Sequence, residues 1–236
     1  MQSKRARLDR FLSERLLVKR SDVRLLLAQG RVKVDHQCAS SITHLVDEYS
    51  HVQFDDQVLQ AKTPSYIMLH KPQAVVSATK DVKHRTVIDL LPAPWPDNLH
   101  IVGRLDFNST GLILLTNDGR WSRRLTMPES AIKKRYLVRL DKPVTSTVID
   151  AFAQGLYFSF EDITTRPVST SVINSHYVEV VLEEGRYHQI KRMFGHFQIK
   201  VLSLHRFAVG KLLLDDSLPE GQSRKLTDQE VMDIFN

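Results

Sequence analysis

The chain has 236 residues and one cysteine, Cys38. No internal disulfide can form, which suits a reducing compartment and points to the cytoplasm. Glycine is scarce, at nine residues, and none is spaced as a phosphate-cradling loop of either common type. The apolar runs are far too short to span a bilayer, so no membrane partner is expected. The N-terminal stretch MQSKRARLDRFLSE is basic and lacks the apolar core of a secretory signal. The NST sequon at Asn108 therefore carries no weight. The ten histidines are scattered, with no pair and no His–Cys cluster at metal-ligand spacing. No serine sits in a nucleophile elbow. An ATPase, a zinc enzyme and a hydrolase triad all lack support, and no metal is expected.

What is present is ordinary in bulk and uneven in distribution. Hydrophobic residues make up 42% and charged residues 25%, as in a globular protein of one large domain or a small domain joined to a larger one. Net charge is +6. Residues 1–33 hold ten Lys or Arg against Asp9, Glu14 and Asp22, so this head is +7 and the remainder −1. Such asymmetry suits a module that docks a polyanion; a solvated charged helix face is the plainer alternative.

Within the head, Leu8, Phe11, Leu12 and Leu16 recur at helical spacing across 7–17. Ser21 is expected to cap a second helix, with Val23, Leu26 and Leu27 as its buried stripe and Gly30 as its end. RVKVD then alternates Val32 and Val34 inward with Arg31 and Lys33 outward, as a strand does. Val46, Val52, Phe54 and Val58 predict further short strands up to about residue 60. The helix-helix-strand order, with RLDRFLSE and KRSDVRLLLAQGRVKV, resembles the S-four-like RNA-binding domain named for a ribosomal protein. In that family the cationic helix faces meet RNA phosphates. The resemblance makes Arg5, Arg7, Arg10, Arg20, Arg24, Arg31 and Lys33 candidate RNA contacts.

AKTPS (61–65) reads as a linker, dividing an RNA-binding domain (1–60) from a larger domain (66–236). Strands are predicted over 66–70, 110–116, 134–140, 176–183, 199–206 and 207–214. Helices are predicted over 86–91, 119–126, 145–154, 187–196 and 227–235. This order gives an α+β fold, with a mixed, mainly antiparallel sheet flanked by helices.

Two stretches could carry chemistry. GRLDFNSTGLILLTNDG (103–119) sets Asp106 in a short polar loop, two residues after Arg104 and before an apolar run. An acid there is either a structural cap or a reactive group. In EGRYHQIKRMFGHF, Arg186 stands at a helix start and His188, Lys191 and Arg192 follow at offsets of three and four on one face. A solvated basic face would look the same. Asp118, in the turn former NDG, is read as structural. Trp95 and Trp121 are read as packing residues.

Taken in order, HKP (70–72), GRLDFNSTGLILLTNDG, KKRYLV (133–138), EGRYHQIKRMF (184–194) and LHR (204–206) resemble the RNA pseudouridine synthases of the RsuA type. The resemblance implies an isomerase that moves uracil from an N1 to a C5 attachment on the same ribose. No atoms are gained and no redox occurs, so no cofactor is expected. It implies Asp106 as the catalytic carboxylate and Tyr136 as the aromatic ring against the target uracil. Lys191 would be the charge partner of Asp106, and Arg104 would hold the space left by the flipped nucleotide. Arg186, His188 and Arg192 join the candidate RNA contacts. Ala74 departs from the glycine that relatives commonly carry after KPQ, which bears on a backbone angle that alanine disfavours.

The expected substrate is a specific uridine of bacterial small-subunit (16S) ribosomal RNA, free or in an assembly intermediate, with the enzyme acting as a monomer. A chain without a basic C-terminal tail fits that group. A pseudouridine synthase for large-subunit RNA and a non-catalytic RNA-binding or ribosome-assembly factor remain as alternatives.

Overall fold

Leu8 and Leu12 turn to one side of α1 (Leu8–Leu16), and Val23 and Leu27 to one side of α2 (Arg20–Ala28). Both stripes close on Val32, Val34, Val46 and Val52, making the small core of a first unit, Met1–Pro64. The computed structural model describes residues 5–92, 94–96 and 98–236. Lys4, one of the ten cations of the basic head, lies outside the described residues.

A short strand β1 (Ala6–Arg7) precedes α1. After α2 come β2 (Val32–Val34), β3 (Gln37–Cys38), β4 (Leu45–Val46), β5 (Val52–Phe54) and β6 (Gln57–Gln60). Strand β1 pairs with β4, and the others form an antiparallel sheet in the order β3-β2-β5-β6. Ser21 does not cap α2. Lys19 holds the cap position with no side-chain bond, and the Ser21 hydroxyl, inside the helix, donates to Asp22. Gly30, at φ +69°, ends the segment, its N–H donating to the Leu27 carbonyl.

The second unit, Ser65–Asn236, is built on one mixed sheet. Its elements are β7 (Tyr66–Lys71), β8 (His100–Val102), β9 (Thr110–Thr116), α3 (Gly119–Thr126), β10 (Lys134–Leu140), α4 (Ser146–Gln154), β11 (Tyr157–Phe158) and β12 (Ile163–Thr164). There follow β13 (Ser169–Asn174), β14 (Tyr177–Leu182), α5 (Gln189–His196), β15 (Val201–Val209), β16 (Leu212–Leu213), β17 (Ser223–Lys225) and α6 (Asp228–Asp233). The sheet runs β13-β14-β10-β15-β9-β7-β17. Every pairing is antiparallel except β15 with β9.

The inner strand β9 is apolar from Leu112 to Leu115 because both its faces are covered. Ile113 and Leu115 join the core with Phe152 of α4 and Phe194 of α5. Leu112 and Leu114 join the opposite core with Trp121, Leu125 and Ile234. Trp121 packs as expected, its indole N–H reaching the Val231 carbonyl at 3.2 Å. Trp95 is partly buried against the first core. Asp118 caps α3, accepting the N–H groups of Arg120 at 2.9 Å and Trp121 at 3.3 Å.

Two predicted elements differ. Residues 86–91 form turns instead of a helix: the Asp89 carboxylate takes the Thr86 N–H and hydroxyl at 2.8 and 2.9 Å, and Thr86 bridges to Val76. The strands predicted over 199–206 and 207–214 are one long strand, β15, which turns at Gly210 (φ +57°) into short β16.

Candidate active site

The parallel pair of β15 and β9 sets the site. Residues align as His205 with Thr110 and Arg206 with Gly111. Gly111, at φ +108°, has no room for a side chain: a Cβ there would lie 2.2 Å from the Arg206 carbonyl oxygen. Arg206 is buried, and its Nε donates to the Leu112 carbonyl at 2.8 Å. The loop bearing Arg104 and Asp106 enters β9 directly above this brace.

Two further groups hold that loop. The Ser77 hydroxyl donates to the Leu105 carbonyl at 2.7 Å and accepts the Leu105 N–H at 3.1 Å. Lys71 is fully buried, and its ammonium donates to the carbonyls of Pro72 (3.0 Å), Phe107 (3.2 Å) and Ser109 (2.8 Å). Burial pushes the Lys71 pKa down to about 8, opposed by the charge of nearby Asp106. Ala74 sits at φ +60°, the region glycine favours, with its N–H on the Phe107 carbonyl at 3.0 Å. The departure noted in the sequence therefore falls on a left-handed backbone.

From the other side comes α5. Its start is organised by Glu184, a buried carboxylate. Glu184 accepts the Arg166 N–H at 3.0 Å, the Gln189 side-chain amide at 2.7 Å and Arg186 Nε at 3.0 Å. His188 takes a left-handed conformation (φ +48°) at the cap position, and its ring stacks on Tyr187 at 3.9 Å. Ile190, Met193 and Phe194 seat the helix in the core.

The two sides meet at Asp106. Lys191 Nζ donates to its Oδ2 at 2.7 Å, and His188 Nε2 lies 3.3 Å from its Oδ1. The carboxylate therefore has a nitrogen at each oxygen and keeps partial access to a cleft. That cleft, about 80 Å³, is lined by Arg104, Leu105, Tyr136, Leu182, Arg186, Ile190 and Leu204, among others. Tyr136, on β10, is buried against this cleft, and Arg104 is exposed at its edge without a carboxylate partner among the described residues. Next to Tyr136, burial and the Arg206 charge push the Lys134 pKa down to about 8.

Arg192 does not share the face of His188 and Lys191. It pairs with both oxygens of Glu161, at 2.5 and 2.6 Å, and lies 3.8 Å over the Phe158 ring. A one-residue step on a helix turns the side chain by about 100°, enough to send it to β11. In the first unit, Arg7, Arg10 and Arg31 are engaged by Asp9, Glu14 and Asp55. Arg5, Arg24 and Lys33 are exposed with no carboxylate partner among the described residues, and Arg20 is exposed as well. Sequence reasoning gave no role to Ser77, Glu184 or Gln189, and quoted Lys71 only within HKP. Among the described residues no three His, Cys, Asp or Glu side chains gather as a metal ion would require. No helix of the described residues is long and apolar enough to cross a membrane.

Comparison with known proteins places the chain in a family. Residues 65–196 match the RNA pseudouridylate synthase family, and residues 6–48 match the S4 domain. The ribosomal small subunit pseudouridine synthase A of Pseudomonas aeruginosa is 49% identical, over 97% of this chain and 100% of that one. The protein of that name from Yersinia pestis is 40% identical, over 97% of each. A crystal structure of a pseudouridylate synthase aligns with a TM-score of 0.70 at 36% identity, covering 97% of this chain and 99% of that one. The chain belongs to the RNA pseudouridylate synthase family and carries an S4 domain ahead of its catalytic unit.

Proposed function

We propose that this enzyme converts one uridine of small-subunit ribosomal RNA into pseudouridine, with Asp106 as the reacting carboxylate. It acts as a monomer, on the RNA itself or on a small-subunit assembly intermediate. The observation that carries this reading is the clamp on Asp106, with Lys191 on one oxygen and His188 beside the other at the edge of a small cleft.

The reaction breaks the bond from ribose C1′ to uracil N1 and makes one from C1′ to C5. The C5 proton leaves and N1 gains one, so the product is an isomer. A carboxylate serves this chemistry as the nucleophile or as the base that removes a ribose proton. The Lys191 ammonium, 2.7 Å from Asp106 Oδ2, gives this carboxylate a fixed hydrogen-bond partner of opposite charge. The detached uracil needs a flat wall on which to turn. Tyr136 supplies one, and base–aromatic stacking is worth on the order of 1–3 kcal/mol.

The uridine must leave its stack to reach Asp106. Arg104, exposed two residues away, fills the vacated space or grips a phosphate. Arg186, at the lip of the same cleft and bonded to Glu184, makes a contact to the RNA backbone in this reading. The Met1–Pro64 unit docks RNA through Arg5, Arg20, Arg24 and Lys33; Arg7, Arg10 and Arg31 contribute where a phosphate displaces their carboxylates. The names of the relatives at 49% and 40% identity support the small subunit as the source of substrate.

The test is incubation of the purified protein with small-subunit and large-subunit ribosomal RNA separately, followed by pseudouridine mapping. One new pseudouridine in the small-subunit RNA is expected. Modification confined to large-subunit RNA would refute the substrate assignment.

A further inference from the structure

An aromatic pair for which the chemistry above has no use joins the segment between β7 and β8 to the loop between β8 and β9. Phe107 follows Asp106 directly and is 37% exposed. Its ring packs on that of His84, with centroids 4.9 Å apart and planes inclined at 55°. His84 is itself exposed.

The pair is held in place. Ser77 joins this segment to Leu105 through two hydrogen bonds, and the Phe107 carbonyl accepts both the Ala74 N–H and the Lys71 ammonium. The tip is folded on itself, with Asp81 Oδ1 accepting the N–H groups of Lys83 and His84, each at 2.8 Å. The Val76 N–H donates to the Arg85 carbonyl, and the Val87 N–H donates to the Val76 carbonyl. Lys80, Lys83 and Arg85 flank His84 in the sequence, all exposed. Lys80 and Lys83, like Arg104, have no carboxylate partner among the described residues. Asp81, the nearest acid in the chain, is occupied by its two N–H bonds.

A preorganised, exposed aromatic pair on a segment with exposed cations, its Phe107 one residue from the catalytic carboxylate, matches the chemistry of a nucleotide: a π-face beside a phosphate. Flipping the target base strips its neighbours of a stacking partner. We propose that Phe107 and His84 form the stacking site for the nucleobase next to the target uridine, with Lys80, Lys83 and Arg85 on its phosphates. This inference rests on the pseudouridylation reading above. Stacking tolerates any base, so the site sets the register of the strand more than it reads sequence.

The experiment uses the full chain and an RNA oligonucleotide spanning the mapped uridine. Two further copies carry an abasic site in place of its 5′ or its 3′ neighbour. Affinity and single-turnover rate at saturating enzyme are measured for the wild type, Phe107→Leu and Phe107→Tyr. Wild type is expected to lose roughly 5- to 100-fold in affinity on one of the abasic RNAs. Phe107→Leu should show that loss on intact RNA and lose nothing more on that abasic RNA. Its saturating rate should stay within a few-fold, and Phe107→Tyr should bind like the wild type. The proposal is overturned if Phe107→Leu binds intact RNA as tightly as the wild type, or if the two losses simply multiply. A wild type that modifies no ribosomal RNA at all would overturn the function itself, and this inference with it.

Discussion

Asp106 has a nitrogen at each oxygen, and the two are not equivalent. Lys191 donates at 2.7 Å, while His188 lies at 3.3 Å. On the proposed role of Asp106, Asp106→Asn keeps the shape and removes the reacting charge, so turnover should vanish while RNA affinity stays within a few-fold. Comparable pseudouridine formation by the Asn variant would refute the assignment. Lys191→Met should lower the single-turnover rate at least about 100-fold, and Lys191→Arg far less, because arginine keeps the charge and changes only the geometry. Equal losses in the two variants would mean that placement of the amine matters more than its charge. Asp106 and Lys191 were legible in the sequence because GRLD and HQIKRM appear in order with the other motifs. Lys71 was not, because a lysine in HKP reads as one more surface cation until its three carbonyl partners are seen.

Burial makes Lys71 informative about pH. Its pKa in the fold is about 8, against 10.5 as the ordinary value. Below pH 8 both the folded and the unfolded chain carry the proton, and the full cost of burying an ammonium is present. Between pH 8 and 10.5 the unfolded chain holds the proton more tightly, so the contribution of Lys71 to stability rises with pH. Lys71→Met removes the donor to three carbonyls and should cost about 2–5 kcal/mol at neutral pH. The gap to the wild type, followed by denaturant melts, should widen on the order of 2–3 kcal/mol by pH 10. A gap that is constant or shrinks with pH would contradict a depressed Lys71.

Among elements, the parallel pair of β9 and β15 carries the site, and it depends on one missing side chain. Gly111→Ala would press a methyl onto the Arg206 backbone at 2.2 Å, and a strand backbone cannot step aside. A loss of more than about 3 kcal/mol is expected in thermal or denaturant unfolding. Ala74→Gly runs the other way. Alanine at φ +60° is strained, so glycine should gain about 0.5–1 kcal/mol, read as a rise in Tm. No gain would mean the loop draws on that strain elsewhere. The strands β9 and β10 and helix α3 were read with their observed limits, because their apolar periods and the NDG cap are local signals. Residues 86–91 misled because Val87, Ile88, Leu90 and Leu91 look like a helix stripe; the Asp89–Thr86 bonds close a turn instead. The long β15 was split at Phe207 because its sequence, VLSLHRFAV, has no local signal that the strand runs on past Arg206.

At the scale of the whole molecule, a basic unit and a catalytic unit divide the work of docking and chemistry. The sequence made the division visible through charge, with ten cations in its first 33 residues. It did not reveal that Arg7, Arg10 and Arg31 are already paired within their own unit. Arg24→Gln and Lys33→Gln should therefore weaken RNA binding. Each should also reduce the slope of log K against log salt by about 0.7–0.9 for every phosphate that is no longer neutralised. Arg10→Gln should change the slope less, since its charge already faces Glu14. Slopes that do not move would make the basic head a solvated surface.

The central claim is that Asp106 of this chain makes a pseudouridine in small-subunit ribosomal RNA. Its most direct test is to map pseudouridines at single-nucleotide resolution in ribosomal RNA from cells lacking the gene, complemented with the wild type or with Asp106→Asn at matched protein levels. The account predicts one small-subunit position that is uridine without the gene, pseudouridine with the wild type and uridine with Asp106→Asn. Identical maps in all three strains, or a position restored equally by Asp106→Asn, would contradict it.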